Sequence, residues 1–277
     1  MADTQRVDRL KQQAKEVRKT VLTMIHEAQS GHPGGSLSAT DLMTALYFDQ
    51  LNIRPDEPKW DGRDRFILSK GHVCPVLYTC LALKGYFEPE ILGTLRKQGS
   101  ILQGHPDMKR CPGIDISTGS LGQGFSVGVG MALRAKRDNL DYKVYVLVGD
   151  GESQEGQIWE AAETASKYGL DNLVVMIDQN GLQNDGACRD IMPTRSIAKK
   201  FEAFGFNTCE IDGHDMHAVV DALDAVKENK IGKPNCIVAK TVKGKGVSFM
   251  ENVVMWHGMA PNDEQFERAL KDIEEGF

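Results

Sequence analysis

Lys143-Val-Tyr-Val-Leu-Val148 runs into Gly149-Asp150-Gly151; after a helical stretch from Ser153 to Tyr168, Leu173-Val-Val-Met-Ile177 runs into Asp178-Gln179-Asn180. This stretch, from Lys143 to Gly186, decides the fold. It reads as strand, tight turn, helix and strand: one βαβ unit with a polar residue at each strand end. In parallel α/β sheets, ligands bind just beyond the carboxyl ends of strands. Asp150 and Asn180 fall at two such ends, and the segment between them suits a single crossover. Two oxygen-bearing side chains side by side suit a hard cation. The flanking Gly149 and Gly151 let a phosphate-sized group come close.

Simpler readings fail one by one. A dinucleotide fingerprint needs a third glycine that Gly149-Asp150-Gly151-Glu152-Ser153-Gln154 lacks. A calcium loop starting at Asp178 has Leu182 and Gln183 at its fifth and sixth positions and Arg189 where a bidentate Glu belongs. The chain contains no P-loop motif.

Working outward, the 277 residues are 41% hydrophobic, ample for a buried core, and carry a net charge of −6. With no basic block, nucleic acid is not an expected partner. No apolar run is long enough to span a bilayer, and the amino terminus has no apolar leader core. The six cysteines, at 74, 80, 111, 188, 209 and 236, never form Cys-x-x-Cys. They read as reduced thiols of a cytoplasmic protein.

Residues 4 to 28 read as a helix, with Leu10, Ala14, Val17, Val21 and Ile25 at three- and four-residue steps. Ser30-Gly31-His32-Pro33-Gly34-Gly35 reads as a loop, followed by a helix from about Ser38 to Leu51. Arg65-Phe-Ile-Leu-Ser69 reads as a strand delivering Lys70-Gly71-His72 to its carboxyl end. A helix follows to about Gly85. Gly119-Ser-Leu-Gly122-Gln-Gly124 opens a small-residue helix from Phe125 to Arg137. Gly124, Gly128 and Gly130 suit close packing against a sheet or a twin helix. Asn207–Ile211 and Asn235–Lys240 read as strands separated by a helix near His214 to Asn229. The Lys243-Gly-Lys-Gly246 segment reads either as solvated lysines or as a lid. A charged helix from about Asp263 closes the chain. The alternation predicts one α/β domain over 1–277: a mostly parallel sheet with helices on both faces.

Four of the seven histidines, His32, His72, His105 and His257, lie beside glycine in irregular segments. Imidazoles there can donate to and accept from sugar hydroxyls and shuttle protons. His214 and His217 have no such context and read as structural or solvent-facing.

Gly149-Asp150-Gly151 followed by Asn180 resembles the thiamine diphosphate signature. In that family the Asp, the Asn and a backbone carbonyl two residues on hold Mg²⁺, Ca²⁺ or Mn²⁺; here these are Asp150, Asn180 and Leu182. The whole chain resembles the N-terminal, diphosphate-binding (PP-type) part of transketolases. The motifs Ser30-Gly-His-Pro-Gly34, Leu68-Ser-Lys-Gly-His72, Gly104-His-Pro106, Thr118-Gly-Ser-Leu-Gly-Gln-Gly124, Gln154-Glu-Gly156 and Trp256-His-Gly258 stand in the family's order. Many relatives have proline where this chain has Ser120, which should loosen that turn.

The resemblance implies transfer of a two-carbon ketol unit from a ketose or ketose phosphate donor to an aldose acceptor, with xylulose phosphate, a branched sugar phosphate and a sulfosugar all left open. It implies that His32, His72, His105 and His257 bind and orient the donor and move protons. It places His72, Gly119, Leu121, Gly122, Gly149, Asp150, Gly151, Glu155, Asn180 and His257 on the cofactor, and matches Glu155 and Glu160 to residues that connect paired sites. Full transketolases are more than twice this length. The chain is therefore expected to be the N-terminal subunit of a split enzyme. A separate subunit with the pyrimidine-binding and C-terminal domains would complete it, in a heterotetramer. The alternatives are a deoxyxylulose phosphate synthase-like enzyme and a non-catalytic interaction subunit.

Overall fold

Successive residues of a strand point to opposite faces of its sheet, and here that alternation divides the interior in two. Phe66, Leu68, Tyr145, Leu147, Val174, Met176 and Ile237 pack into one apolar core. Their neighbours Ile67, Val144, Val146, Val148, Val175, Ile177 and Val238 pack into another. Continuous apolar runs, rather than alternating ones, are what a sheet covered on both faces requires. The computed structural model describes residues 2–276; Met1 and Phe277, the ends of the domain expected over 1–277, lie outside the described residues.

The elements are, in chain order, α1 (Thr4–Ala28), α2 (Pro33–Ser38), α3 (Thr40–Ala45), β1 (Arg65–Leu68), α4 (Cys74–Leu83), α5 (Gln123–Arg137), β2 (Val144–Gly149), α6 (Gly156–Lys167), β3 (Leu173–Gln179), β4 (Leu182–Gln183), β5 (Gly186–Ala187), α7 (Cys188–Ile191), α8 (Ile197–Ala203), β6 (Asn207–Asp212), α9 (Met216–Glu228), β7 (Asn235–Lys240) and α10 (Asp263–Glu275). The main sheet runs β1-β2-β3-β7-β6, parallel at every pairing. Helices α1, α3, α4 and α9 cover one face; α5, α6 and α8 cover the other. A third apolar cluster, with Leu22, Leu37, Met250, Trp256 and Ile273, ties α10 and the 247–256 loop to α1 and α2.

Two local readings change. The loop expected at Ser30–Gly35 is shorter, because Pro33 starts α2 with His32 as its N-cap residue; proline's fixed φ suits a first helical turn. The helix expected from Ser38 to Leu51 divides into α2, α3 and a wider π-type turn at Leu46–Gln50. The β4–β5 hairpin and helices α7 and α8 add elements not expected from the sequence.

The glycines of α5 have separate reasons. A Cβ on Gly124 would lie 2.8 Å from the Ser69 backbone, and one on Gly128 would lie 2.6 Å from Val146 Cγ2. Both let the helix sit close on β1 and β2. Gly130 meets nothing within 4 Å and is exposed. Sheet packing therefore accounts for two of the three, and Gly130 alone is left for a twin helix.

Candidate active site

The register pairs Gly149 with Asp178, so the residues after β2 and β3 emerge side by side. The Asp150 carboxylate is 4% exposed. Its Oδ1 accepts from the Gly151 N–H at 2.8 Å and its Oδ2 from the Gly181 N–H at 2.6 Å. The Asn180 Oδ1 accepts from the Leu182 N–H at 3.1 Å, closing a turn that presents the Leu182 carbonyl. Burial, reinforced by the Asp178 charge, pushes the Asp150 carboxyl up to about 6. A buried carboxylate without a cation on it is costly. Among the described residues, no cationic side chain lies within ion-pair distance of Asp150.

Beneath this turn lies a network centred on a fully buried carboxylate, Asp178. Asp178 accepts from Ser38 Oγ at 2.6 Å and also from Lys70 Nζ and Thr241 Oγ1. Burial alone would raise the Asp178 carboxyl, but Lys70 and the two hydroxyls hold it below the usual range. Glu152 is a second buried carboxylate. It accepts from Ser69 Oγ at 2.5 Å, from the Gly122 N–H at 2.9 Å and from the Gly149 N–H at 3.0 Å. One side chain thus joins the three segments Leu68–His72, Gly119–Gly122 and Gly149–Gly151. Gly122 caps α5 at φ +82°, a region that favours glycine, and a Cβ there would lie 2.9 Å from Glu155 Cβ.

Across the cleft stand three imidazoles. Ring centroids are 5.2 Å apart for His32–His72, 5.5 Å for His32–His257 and 5.2 Å for His72–His257. Burial, with nearby positive charge, holds His32 and His257 down at about 4 and His72 at about 2. All three are neutral near pH 7, where each ring can donate at one nitrogen and accept at the other. Neutrality narrows the proton-shuttle expectation: the protonated form is scarce at that pH. The buried Nδ1 of His32 has no hydrogen-bond partner among the described residues. His105 is exposed and stacks its edge on the Gly119 turn, where a Cβ would lie 3.0 Å from His105 Cδ2.

A cavity of about 230 Å³ gathers most of the expected residues: His72, Leu121, Gly149, Asp150, Gly151, Glu155, Asn180, Leu182 and His257. His32 joins through its ring contacts. His105, Gly119 and Gly122 flank the cavity without lining it. Glu152 was not singled out by the sequence, and Lys70 and Lys243 were given no place in the site, yet all three line it. Lys243 is 2% exposed, so it is not a solvated lysine. Its Nζ bonds to His257 Nδ1 at 2.7 Å and donates to the Leu182 carbonyl at 3.2 Å. Burial, with the Lys70 charge, lowers its ammonium to about 8. The signal that could have found these residues is adjacency: each lies one or two positions from a glycine of a site motif.

The donor set suits a hard cation bound with an anion. Asp150 and Asn180 offer side-chain oxygens, and the Leu182 carbonyl already faces a positive charge, that of Lys243. Among the described residues no three His, Cys, Asp or Glu side chains form a metal-sized cluster. The set here is instead one carboxylate, one amide and one carbonyl, all oxygen ligands.

A parallel sheet covered on both faces, with a cation- and phosphate-suited cleft at adjacent carboxyl strand ends, defines an α/β cofactor-binding protein. The family model "transketolase, thiamine diphosphate binding domain" matches residues 10–273, and the chain belongs to the transketolase family through that domain. It is 44% identical over 270 residues to one of the subunits of the apulose-4-phosphate transketolase of Phocaeicola vulgatus, covering 97% of this chain and 95% of that one. It is 46% identical to a 6-deoxy-6-sulfo-D-fructose transketolase subunit of a Clostridium species, covering 98% of each. The solved transketolase from Campylobacter jejuni superposes with a TM-score of 0.91 at 33% identity, covering 99% of this chain. The chain spans only 43% of that structure's length. The transketolase from Leishmania mexicana gives a TM-score of 0.90 at 29% identity, covering 99% of this chain and 42% of that one.

Proposed function

We propose that this chain is the diphosphate-binding subunit of a split transketolase, moving a two-carbon ketol unit from a ketose or ketose phosphate to an aldose. The observation that carries the reading is one cavity with Asp150, Asn180 and the Leu182 carbonyl on one side and neutral imidazoles on the other. Relatives matched along nearly their whole length are named as transketolase subunits, which supports a complementary subunit for this chain also. That subunit would carry the pyrimidine-binding and C-terminal domains. The assembly would be a heterotetramer with residues 1–277 acting as one domain, in the reducing cytoplasm.

Asp150, Asn180 and Leu182 would hold Mg²⁺ or a similar divalent cation. The backbone around Gly149–Gly151 and Gly119–Gly122, with Leu121 and Glu155, would lie along the cofactor. When bound, thiamine diphosphate supplies the nucleophilic ring carbon and the electron sink that carbon–carbon cleavage beside a carbonyl needs. The chain's own work is to bind, orient and keep dry. His32, His72 and His257, neutral and close together, would take donor hydroxyls. His105 would reach the donor from the rim over Gly119. Each ring can pass a proton between a hydroxyl and its neighbour without carrying a lasting charge.

Ketol transfer, assayed after the chain is co-purified with the complementary subunit, tests the reading. Activity should appear only in the mixture, with thiamine diphosphate and a divalent cation. A mixture that binds thiamine diphosphate but transfers no ketol group to any aldose would overturn it.

A further inference from the structure

His214, which the sequence leaves without a role, sits just beyond β6 in a half-buried chain of hydrogen bonds. Its Nε2 accepts from the Val242 N–H at 2.8 Å. That bond requires the ring proton on Nδ1, which donates to Asp41 Oδ2 at 2.8 Å. Asp41, 6% exposed, is gripped in turn by both terminal nitrogens of Arg18, at 3.0 and 2.6 Å. The Arg18 Nε donates to the Lys245 carbonyl at 3.3 Å. The triad therefore holds the backbone at Val242 and at Lys245, on either side of Lys243. Between them the Gly244 N–H donates to the Gly34 carbonyl at 2.9 Å. Lys243 Nζ is the atom that reaches His257 and the Leu182 carbonyl.

We propose that Arg18, Asp41 and His214 form a positioning relay that fixes Lys243, and through it His257, at the cofactor end of the cleft. A buried Arg–Asp pair alone would be weak grounds for a role, since such pairs contribute little net stability. Here the pair has a direction. It fixes the tautomer of an imidazole whose other nitrogen is spent on one backbone amide next to a site lysine. A carboxylate orienting an imidazole is a recurring way to set a functional group. His214 touches neither the cavity nor the imidazole cluster, so it is a positioning residue. Its influence on the cofactor rests on the reading given under Proposed function; its hold on the loop does not.

Two measurements separate these. In the full chain, hydrogen exchange across 242–250 should speed up about tenfold in His214→Ala, the scale of one lost backbone hydrogen bond. Exchange in β3 should stay unchanged. His214→Phe, which keeps the ring volume and accepts nothing, should behave the same way, so poor folding of the Ala variant does not decide the matter. His214→Gln, which can still accept from Val242 and donate to Asp41, should restore slow exchange. Unchanged exchange in both the Ala and Phe variants overturns the relay. In the assembled enzyme, His214→Ala should weaken binding of thiamine diphosphate with Mg²⁺ about tenfold, again one lost hydrogen bond, and should add no further loss in a Lys243→Ala background. A loss of the same size with and without Lys243 would show a merely structural effect and would also overturn it. If the loop responds as expected but wild-type enzyme binds no thiamine diphosphate, the relay stands and the cofactor reading fails.

Discussion

Asp150, the cation ligand of the proposed site, is costly to the ligand-free fold. Its carboxyl is pushed up to about 6 by burial and by Asp178, so the folded chain binds that proton more tightly than the unfolded chain does. The resulting stability is fully present below about pH 4, the ordinary carboxylate value, and is lost as pH rises through about 6. At pH 7 the ionised group costs on the order of 2–3 kcal/mol in the ligand-free chain. Asp150→Ala should therefore fold at least as stably as wild type at pH 7. It should lose the wild-type gain in stability between pH 7 and 4.5 and, on the proposed function, any cation-dependent binding of thiamine diphosphate. Calorimetric melts at the two pH values, beside a binding titration, check all three outcomes. His105 differs from the other histidines in its exposure. His105→Ala should leave cofactor affinity near wild type and reduce donor turnover by about five- to tenfold, the loss of one hydroxyl hydrogen bond. Donor kinetics unchanged in that variant would make His105 a support for the Gly119 turn. The sequence displayed Asp150, Asn180 and the four histidines because each stands beside glycine in an irregular segment. It left the roles of Glu152, Asp178 and Lys243 unassigned, because what a buried charge does is set by the partners that the fold brings to it.

At the scale of the element, the strands were legible to within a residue or two. Their apolar runs sit on both faces of a sheet, and nothing else competes for such segments. Helix limits near Pro33 and Leu46 were less so, because a Gly-Pro run can start a helix as readily as form a loop. The β4–β5 hairpin is too short to leave a periodic trace. Helix α5 offers a paired test. Gly128→Ala would press a Cβ to within 2.6 Å of Val146, and such overpacking costs about 1–3 kcal/mol, exceeding the helix-propensity gain of about 1 kcal/mol. Gly130→Ala meets open space and should stabilise the isolated chain by about 0.5–1 kcal/mol. Thermal melts decide the pair; if Gly130 faces a twin helix, the same Ala should weaken self-association in sedimentation. Helices α1 and α3 are joined through Arg18 and Asp41. The Arg18 charge and the His214 hydrogen bond outweigh burial and hold Asp41 down at about 2. Removing Arg18 would leave that carboxylate buried beside His214 alone. Arg18→Ala should cost about 3–5 kcal/mol in a denaturant titration at pH 7.

For the molecule as a whole, the central question is what completes the cleft. The cavity is open at Leu121, which lines it and is 37% exposed. On the split-enzyme reading, the purified chain alone should show no ketol transfer. Adding the complementary subunit should restore it, and the sedimentation coefficient should rise to that of two copies of each. Ketol transfer by the chain alone would remove the need for a partner.

The sheet that divides the interior has one further consequence. The segments bearing His32, His72 and His257 rest on the first and third apolar cores, whereas α5 and α6, which follow the two glycine turns, rest on the second. A single layer of backbone insulates one foundation from the other. Loosening either should then weigh first on a different side of the cleft, with Glu152 and Lys243 as the links between the two sides. Leu77→Ala, on the first side, should be felt in the handling of the sugar, and Val129→Ala, on the second, in the retention of the cofactor. Their stability costs should simply add, as they do for residues without shared neighbours. Under selection, a fold wired this way can retune what it accepts while leaving untouched what it carries.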